Sequence, residues 1–352
     1  MNRPPLKGAL VGCGQVSRHH LAGWARIPEV ELVALCDRDP ARLDAAVAPG
    51  ARRYHDFAAL LNTETKLDFV EICTQVDAHR ALVEQAAARG SHVLCQKPAA
   101  ATRGDLIAMI GACDRAGVRL MIHENWRFRP WYRAIRQVVA IGRVGRPIRL
   151  RLAHRDFRAL RPGGFDEQPY LATAPRLMLM DMGCHLVDCA RFLLGEVATV
   201  SATLRRFGVS NLGEDVATLV LEFESGSLGL LDFSWCAAPL GARLEWALNE
   251  TVVEGDSGTI HLLKDGSLEF VGLDGATERI PVDLPPPAEV YLAGYLATQR
   301  HFIQGLLTGI AHETSGQDAL ETMSVVWAAY QSADEGRTIS IERTLAEDDM
   351  SG

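Results

Sequence analysis

The chain has 352 residues, 48% hydrophobic and 23% charged, the proportions of a soluble globular protein long enough for two domains. A formal net charge of -8 with no basic block argues against nucleic acid or an anionic membrane surface as the main partner. No apolar run reaches the ~20 residues of a membrane-spanning helix.

The start, Met1 to Pro5, leads straight into a strand-like run without the apolar core of a signal peptide, so a cytoplasmic setting is expected. The eight cysteines form no CxxC pair, so no metal site is expected. Cys13, Cys36, Cys73 and Cys95 sit in or just after strand-like runs and read as small buried residues of a reducing compartment.

Lys7 to Val11 reads as a strand, followed by the turn Gly12-Cys13-Gly14-Gln15-Val16-Ser17 and a helix. Here the first glycine permits a tight turn, and the second lets a pyrophosphate approach backbone N–H groups at the helix start. Ser17 stands where a dinucleotide fingerprint has its third glycine. Glu31 to Cys36 is a second strand, and Asp37 ends it 23 residues after Gly14, close to the spacing of the acid that binds the adenosine ribose. That acid favours NAD, while Arg38 beside it leaves NADP open. A weak strand near Arg53-Tyr54, a short helix from Phe57 and a strand over Phe69 to Thr74 follow. The end of that strand, at Thr74, is expected near the nicotinamide. Asp77 reads as the N-cap of a helix over Ala78 to Ala88, with His79 in its first turn, either touching the cofactor or standing as a partly exposed structural histidine. Val93 to Cys95 is a strand that must stop at Lys97-Pro98, because proline cannot donate to a ladder. Lys97 thus lies at the carboxyl end of a strand, where open α/β sheets bind ligands. A helix over Thr102 to Ala116 and a strand over Arg119 to Ile122 complete a doubly wound parallel sheet. This places a dinucleotide-binding domain in residues 1–124 and a substrate-binding and oligomerisation domain in 125–352.

The second part opens on the polar and aromatic stretch His123 to Pro130, a pocket wall that includes Trp126 and Arg127, and a helix from Pro130 to Ile141. Arg149, Arg151 and Arg155 mark one face of a strand. The turn-rich loop 161–170 presents Gln168 and Tyr170. Asp181 is expected to cap a helix to Leu194 that carries His185 early and Asp188 three residues on. A helix N-terminus disfavours imidazolium, so His185 is suited to be a base. A capped helix with a buried structural histidine is the competing reading. Strands are expected over Val197 to Arg205, Val216 to Phe223, Ser227 to Ser234, Leu244 to Leu248, Thr251 to Glu254 and Thr259 to Leu263. Asp265-Gly266 marks a hairpin. Helices over Tyr291 to Leu307 and Gln317 to Ala333 and a strand over Thr338 to Ile341 follow. The fold class is therefore a Rossmann domain joined to an α+β domain on an open, mostly antiparallel sheet.

Gly12 to Ser17, Gln96-Lys97-Pro98, Asn125 to Pro130 and Asp181-x-Gly-x-His185-x-x-Asp188, in that order and at domain-scale spacing, resemble the Gfo/Idh/MocA family of sugar and inositol oxidoreductases. The resemblance spans nearly the whole chain. It implies an NAD(P)-dependent dehydrogenase of a sugar or polyol. Lys97 would contact nicotinamide and the reacting hydroxyl, Asp181 would bind substrate, and His185 would be the general acid/base. Expected cofactor contacts are Gly12, Gly14, Gln15, Val16, Asp37, Arg38, Thr74, His79, Gln96, Lys97 and Asn125. Expected substrate contacts are Lys97, Trp126, Arg127, Gln168, Asp181 and His185. Gln96 departs from the family's usual glutamate, which removes a charge that would favour Lys97 as ammonium. Within the family, the stretches around Lys97, His123 to Phe128 and Gln168 to Leu171 look like those of D-apiose dehydrogenases, which oxidise a branched pentose at its anomeric carbon to a lactone. The open sheet is expected to form a homodimer or homotetramer. A hydrolase or lyase that retains NAD for transient oxidation, and a sugar sensor without catalysis, stand as alternatives.

Overall fold

A computed structural model describes residues 3–238 and 248–342, and the chain forms two compact units. The first comprises Met1–Phe128 and Ala288–Leu320. Its sheet contains β1 (Leu6–Val11), β2 (Val30–Cys36), β3 (Arg52–Tyr54), β4 (Phe69–Ile72), β5 (His92–Gln96) and β6 (Leu120–His123). All six strands are parallel, in the order β3-β2-β1-β4-β5-β6. This is the Rossmann order, and its direction reverses between β1 and β4. β4 is buried along its whole length because helices cover both faces of a parallel sheet.

The connecting helices start and stop where local chemistry dictates. α1 (Ser17–Trp24) follows the glycine turn, and α2 (Pro40–Ala45), not foreseen above, begins where the Asp39 side chain accepts from the Ala41 N–H at 2.9 Å. In the same way Asp56 caps α3 (Phe57–Thr63) and Thr102 caps α5 (Arg103–Ala116). α5 ends at Gly117 in the left-handed conformation. Asp77 is not a cap: it lies in a 3-10 turn, and α4 (His79–Ala87) starts after Ala78 with no side-chain cap.

Residues 288–320, expected in the second domain, belong to the first unit. α9 (Val290–Thr308) explains why. Its Phe302 is fully buried in one core cluster with Leu6, Trp24, Phe69, Leu94 and Met121, and it meets Phe69 edge-on at 5.6 Å between centroids. Gln299 Nε2 donates to the His20 carbonyl at 3.0 Å. Arg119 donates to the carbonyls of Gly305 at 3.0 Å, Gly309 at 2.9 Å and Ile310 at 2.6 Å, so a cation satisfies the helix's last acceptors.

The second unit comprises Arg129–Pro287 and Glu321–Gly352. Its strands are β7 (Pro147–Arg155), β8 (Val197–Arg205), β9 (Val216–Phe223), β10 (Leu228–Ser234), β11 (Glu250–Gly255), β12 (Gly258–Leu262), β13 (Leu268–Gly272), β14 (Thr277–Ile280) and β15 (Ile339–Ser340). They form one sheet in the order β14-β13-β12-β11-β7-β10-β9-β8-β15, antiparallel except between β7 and β10. The strand expected at Leu244 to Leu248 falls almost wholly outside the described residues. β9 alternates strictly between buried and open positions, with Ala217, Leu219, Leu221 and Phe223 inward. On the open face, Arg149, Leu228 and Glu222 share one row, and Arg151, Leu230 and Val220 the next. Its helices include α6 (Pro130–Ala140), the short α7 (Pro169–Thr173) and α8 (Cys184–Leu194), and α6 and α8 pack on one another. The helix α10 (Gly316–Glu335) carries the chain from the first unit into the second.

Phe302→Ala should destabilise the first unit by about 3–5 kcal/mol, since a buried ring is removed and its cavity only partly collapses. Chemical denaturation followed at the first unit would show this. A change confined to the second unit would contradict the assignment of residues 288–320.

Candidate functional site

In the first unit the candidate residues gather at the carboxyl edge of the parallel sheet. Gly12 ends β1 with φ +93, and a Cβ there would lie 2.7 Å from the Cys73 carbonyl carbon and 2.8 Å from the Thr74 nitrogen. Only glycine lets β1 pass so close to the end of β4. Gly14 differs: a Cβ there would meet nothing within 4 Å. A side chain at that position would therefore enter open space rather than packed atoms. Ser17 is buried in the third glycine's place, and its hydroxyl donates to the Gly14 carbonyl at 2.6 Å, tightening the turn.

Asp37, just past β2, accepts from the Cys13 N–H at 2.7 Å and the Asp39 N–H at 2.8 Å. It therefore ties the glycine turn to the end of the second strand, and each oxygen retains a lone pair for a hydroxyl. Arg38 is exposed. Burial and the Asp37 charge push the Cys13 thiol up to about 12, and Cys36 likewise to about 12, so neither is a thiolate nucleophile.

Thr74 follows β4. His79, expected at the cofactor, is buried with its Nδ1 3.2 Å from the Ala99 carbonyl and its Nε2 3.1 Å from the Thr74 carbonyl. Burial lowers its pKa against the raising effect of those carbonyls. It cross-links the end of β4 to the segment after Lys97-Pro98, whose peptide bond is cis.

Lys97 stands immediately after β5. The Gln96 side chain does not reach towards a charge on Lys97. It is buried, accepts from the Lys97 backbone N–H at 2.7 Å, and puts its Nε2 2.7 Å from His20 Nε2. Asn125, beyond β6, is buried, and its Oδ1 has no donor among the described residues. A buried amide oxygen without a donor costs free energy unless a ligand N–H meets it. The open cradle at Gly14, the Asp37 carboxylate and the Asn125 acceptor fit the pyrophosphate, ribose hydroxyls and carboxamide of a nicotinamide dinucleotide. Trp126 is buried. Arg127 donates to the Glu313 carbonyl at 3.0 Å and to Asp318 at 2.8 Å, both within the first unit, so its guanidinium is engaged in holding that unit.

In the second unit Asp181 is not an N-cap. The helix starts earlier, and Leu179–Gly183 forms a wide π-type turn that runs into α8. Such turns recur at functional sites. The first free N–H groups are taken by a residue from elsewhere: Glu214 accepts from Leu177 at 3.1 Å and from Leu179 at 3.0 Å. Tyr330 donates its hydroxyl to the same carboxylate at 2.6 Å. Burial and the Glu214 charge raise the Tyr330 pKa, so the phenol keeps its proton. Asp181 is therefore left as a half-buried acid within the turn, about one turn before the buried His185. Asp188 lies deep in α8 and meets the Thr322 hydroxyl at 3.3 Å.

Sequence reading missed His154. It is buried on β7, bonded through Nδ1 to Asn249 Oδ1 at 2.8 Å, and burial lowers its pKa while the Asn249 hydrogen bond and the charge of Asp156 act to raise it. The signal was present, because Leu150, Leu152 and His154 share the inward phase of a strand whose other phase carries arginines. Gln168 is half-buried and Tyr170 exposed, with Gln168 Nε2 3.5 Å from the Tyr170 hydroxyl.

Comparison with known proteins agrees with this arrangement. The profile for an oxidoreductase family with an NAD-binding Rossmann fold matches residues 6–124, and that for the GFO/IDH/MocA C-terminal domain matches residues 132–261. A D-apiose dehydrogenase of Paraburkholderia graminis is 42% identical over 97% of this chain and 91% of its own length. A D-apiose dehydrogenase of Rhizobium rhizogenes is 38% identical over 98% of this chain and all of its own length. The crystal structure of an oxidoreductase from Agrobacterium radiobacter in complex with NAD+, L-tartaric acid and magnesium superimposes with a TM-score of 0.87 at 38% identity, covering 96% of this chain and 98% of that one.

Two substitutions separate cradle from scaffold. Gly14→Ala should leave the melting temperature unchanged and weaken NAD binding by about tenfold or more, which calorimetric titration would show. Gly12→Ala should lower the melting temperature as well, because its new methyl meets backbone. In the second unit, Glu214→Ala should cost about 1–3 kcal/mol in thermal unfolding, since two N–H groups and a buried phenol lose their acceptor.

Proposed function

This chain belongs to the Gfo/Idh/MocA family of oxidoreductases, and from that premise we propose that it is an NAD-dependent dehydrogenase of a sugar, oxidising the anomeric hydroxyl of a pentose such as D-apiose to a lactone. The observation that carries the reading is the position of Lys97. It follows β5 directly, at the carboxyl edge of a Rossmann sheet whose switch point lies between β1 and the neighbouring β4. The identity to D-apiose dehydrogenases over nearly the whole chain supports the substrate class.

In this reading residues 1–124 hold the cofactor. Gly12, Gly14, Gln15 and Val16 offer backbone to the pyrophosphate, and Asp37 accepts from the ribose hydroxyls. Asp37 also repels a 2′-phosphate, which favours NAD over NADP. Thr74, His79 and Asn125 shape the nicotinamide end, with Asn125 Oδ1 as the acceptor. NAD, when bound, supplies the acceptor for the hydride that leaves the anomeric carbon. Lys97 holds the anomeric oxygen through its ammonium and stabilises charge that develops there. His185 takes the hydroxyl proton as general base, and Asp181 binds the sugar beside it. Trp126 and Gln168 bound the sugar. Arg127, proposed as a further sugar contact, is held within the first unit by its bonds to Glu313 and Asp318.

The open face of the second unit's sheet, with Val220, Leu228 and Leu230 among arginines, supports a homodimer or homotetramer. Eight buried or half-buried cysteines support a reducing cytoplasmic setting. Among the described residues no helix is long and apolar enough to cross a membrane.

The test is NADH absorbance with purified protein, NAD and a panel of pentoses, hexoses and inositols. D-Apiose should reduce NAD fastest. Lys97→Ala and His185→Ala should each lower kcat by about 10²-fold or more. Wild-type protein that binds NAD but reduces it with no sugar would overturn the proposal.

A further inference from the structure

β4 reads Phe-Val-Glu-Ile, and its one acid, Glu71, is fully buried in the middle of the parallel sheet. A buried carboxylate needs strong donors. Two come from α1: His20 Nδ1 lies 2.8 Å from Oε1, and Trp24 Nε1 donates to Oε2 at 2.5 Å. On its other side His20 meets Gln96, and Gln96 meets the backbone of Lys97.

The direction of each bond in this chain follows from one end. The Lys97 N–H can only donate, so the Gln96 atom facing it is the amide oxygen. The amide nitrogen then faces His20 Nε2 and donates to it, so Nε2 presents a lone pair. A neutral ring with a bare Nε2 carries its proton on Nδ1, which donates to Glu71. Every member is satisfied in this single arrangement. With His20 protonated, two donors would oppose each other at Nε2. Gln96 would regain that bond only by turning its amide, and its NH2 would then oppose the Lys97 N–H.

We propose that Glu71, His20 and Gln96 are positioning residues for Lys97, joined in one directional hydrogen-bond chain that is complete only while His20 is neutral. The proposal rests on the reading of Lys97 as a reacting residue. The groups that face His20 are Glu71 from β4, the His123 ring from β6 at 4.3 Å between centroids, and the Tyr295 ring from α9 at 5.1 Å. On α1 itself His19 and Arg18 adjoin it in sequence. Glu71 is the only carboxylate among these, and it receives the Nδ1 proton, leaving Nε2 to Gln96. A glutamate at 96 would reverse the demand. Its carboxylate accepts both from the Lys97 N–H and from a protonated Nε2, so it would hold His20 as imidazolium between two acids. The glutamine thus selects the neutral ring.

The test uses the full chain labelled with 15N-histidine and 15N-lysine. With lysine only at positions 7, 66, 97 and 264, the Lys97 amide is readily assigned. At pH 8 His20 should be the neutral Nδ1–H tautomer in wild type and an imidazolium in Gln96→Glu. Gln96→Met, which keeps the bulk and removes both bonds, should shift the Lys97 amide and lower kcat about tenfold with KM for sugar and NAD within about twofold. Gln96→Glu should retain more activity than Gln96→Met. An Nε2–H or charged His20 in wild type, or a Lys97 amide unmoved in Gln96→Met, would overturn the chain. An unmoved kcat in Gln96→Met would overturn its role. The tautomer and amide signals need no turnover, so they distinguish failure of this inference from failure of the dehydrogenase reading.

Discussion

A carboxylate sealed inside a parallel sheet is the constraint on which the first unit depends. Glu71 has no contact with solvent, and leaving it without donors would cost more than a domain of this size can spare. Its partners therefore dictate placement. α1 must present His20 and Trp24 on the same side, and β5 must end so that Gln96 turns inward. The same side chain that completes this set fixes the peptide from which Lys97 projects. A demand that begins as burial of an acid ends as placement of the Lys97 backbone.

The second unit meets a related demand with another acid. The turn at Leu179–Gly183 starts a helix without any local cap, and Glu214 reaches it from just before β9. With the N–H groups satisfied from outside, Asp181 is not spent on capping. The two units thus use buried acids for opposite purposes, one to gather donors round a charge and one to serve donors that a helix leaves over.

Much of the fold was legible because strands and helices alternate with clear caps and glycine stops. Val216–Phe223 shows strict two-residue alternation, and the Rossmann spacing from Gly14 to Asp37 fits the observed end of β2. The corrections share a cause. Asp77 and Asp181 have the right chemistry and sequence position for caps, but a 3-10 turn and a π-type turn shift the helix starts around them. Whether a cap is local or supplied from Glu214, far along the chain, is decided by tertiary packing. Residues 288–320 looked like part of the second domain because they follow it in the chain, and nothing in α9 announces that Phe302 will bury itself against Phe69. Glu71 was the clearest overlooked signal. An acid inside an apolar strand run must find partners, and those partners led to Lys97.

The return of α9 to the first unit bears on how the protein is made. The Rossmann core needs Phe302, Ile303 and Gln299 to close over β4 and α1, yet these residues are synthesised long after β6. A ribosome-bound chain that has produced the whole parallel sheet still exposes the surface around Trp24, Phe69 and Met121. At ~5–20 residues per second that surface waits several seconds or more for its cover. The second unit's strands emerge during that interval, so the order of synthesis is the reverse of the order in which the first unit's core can close.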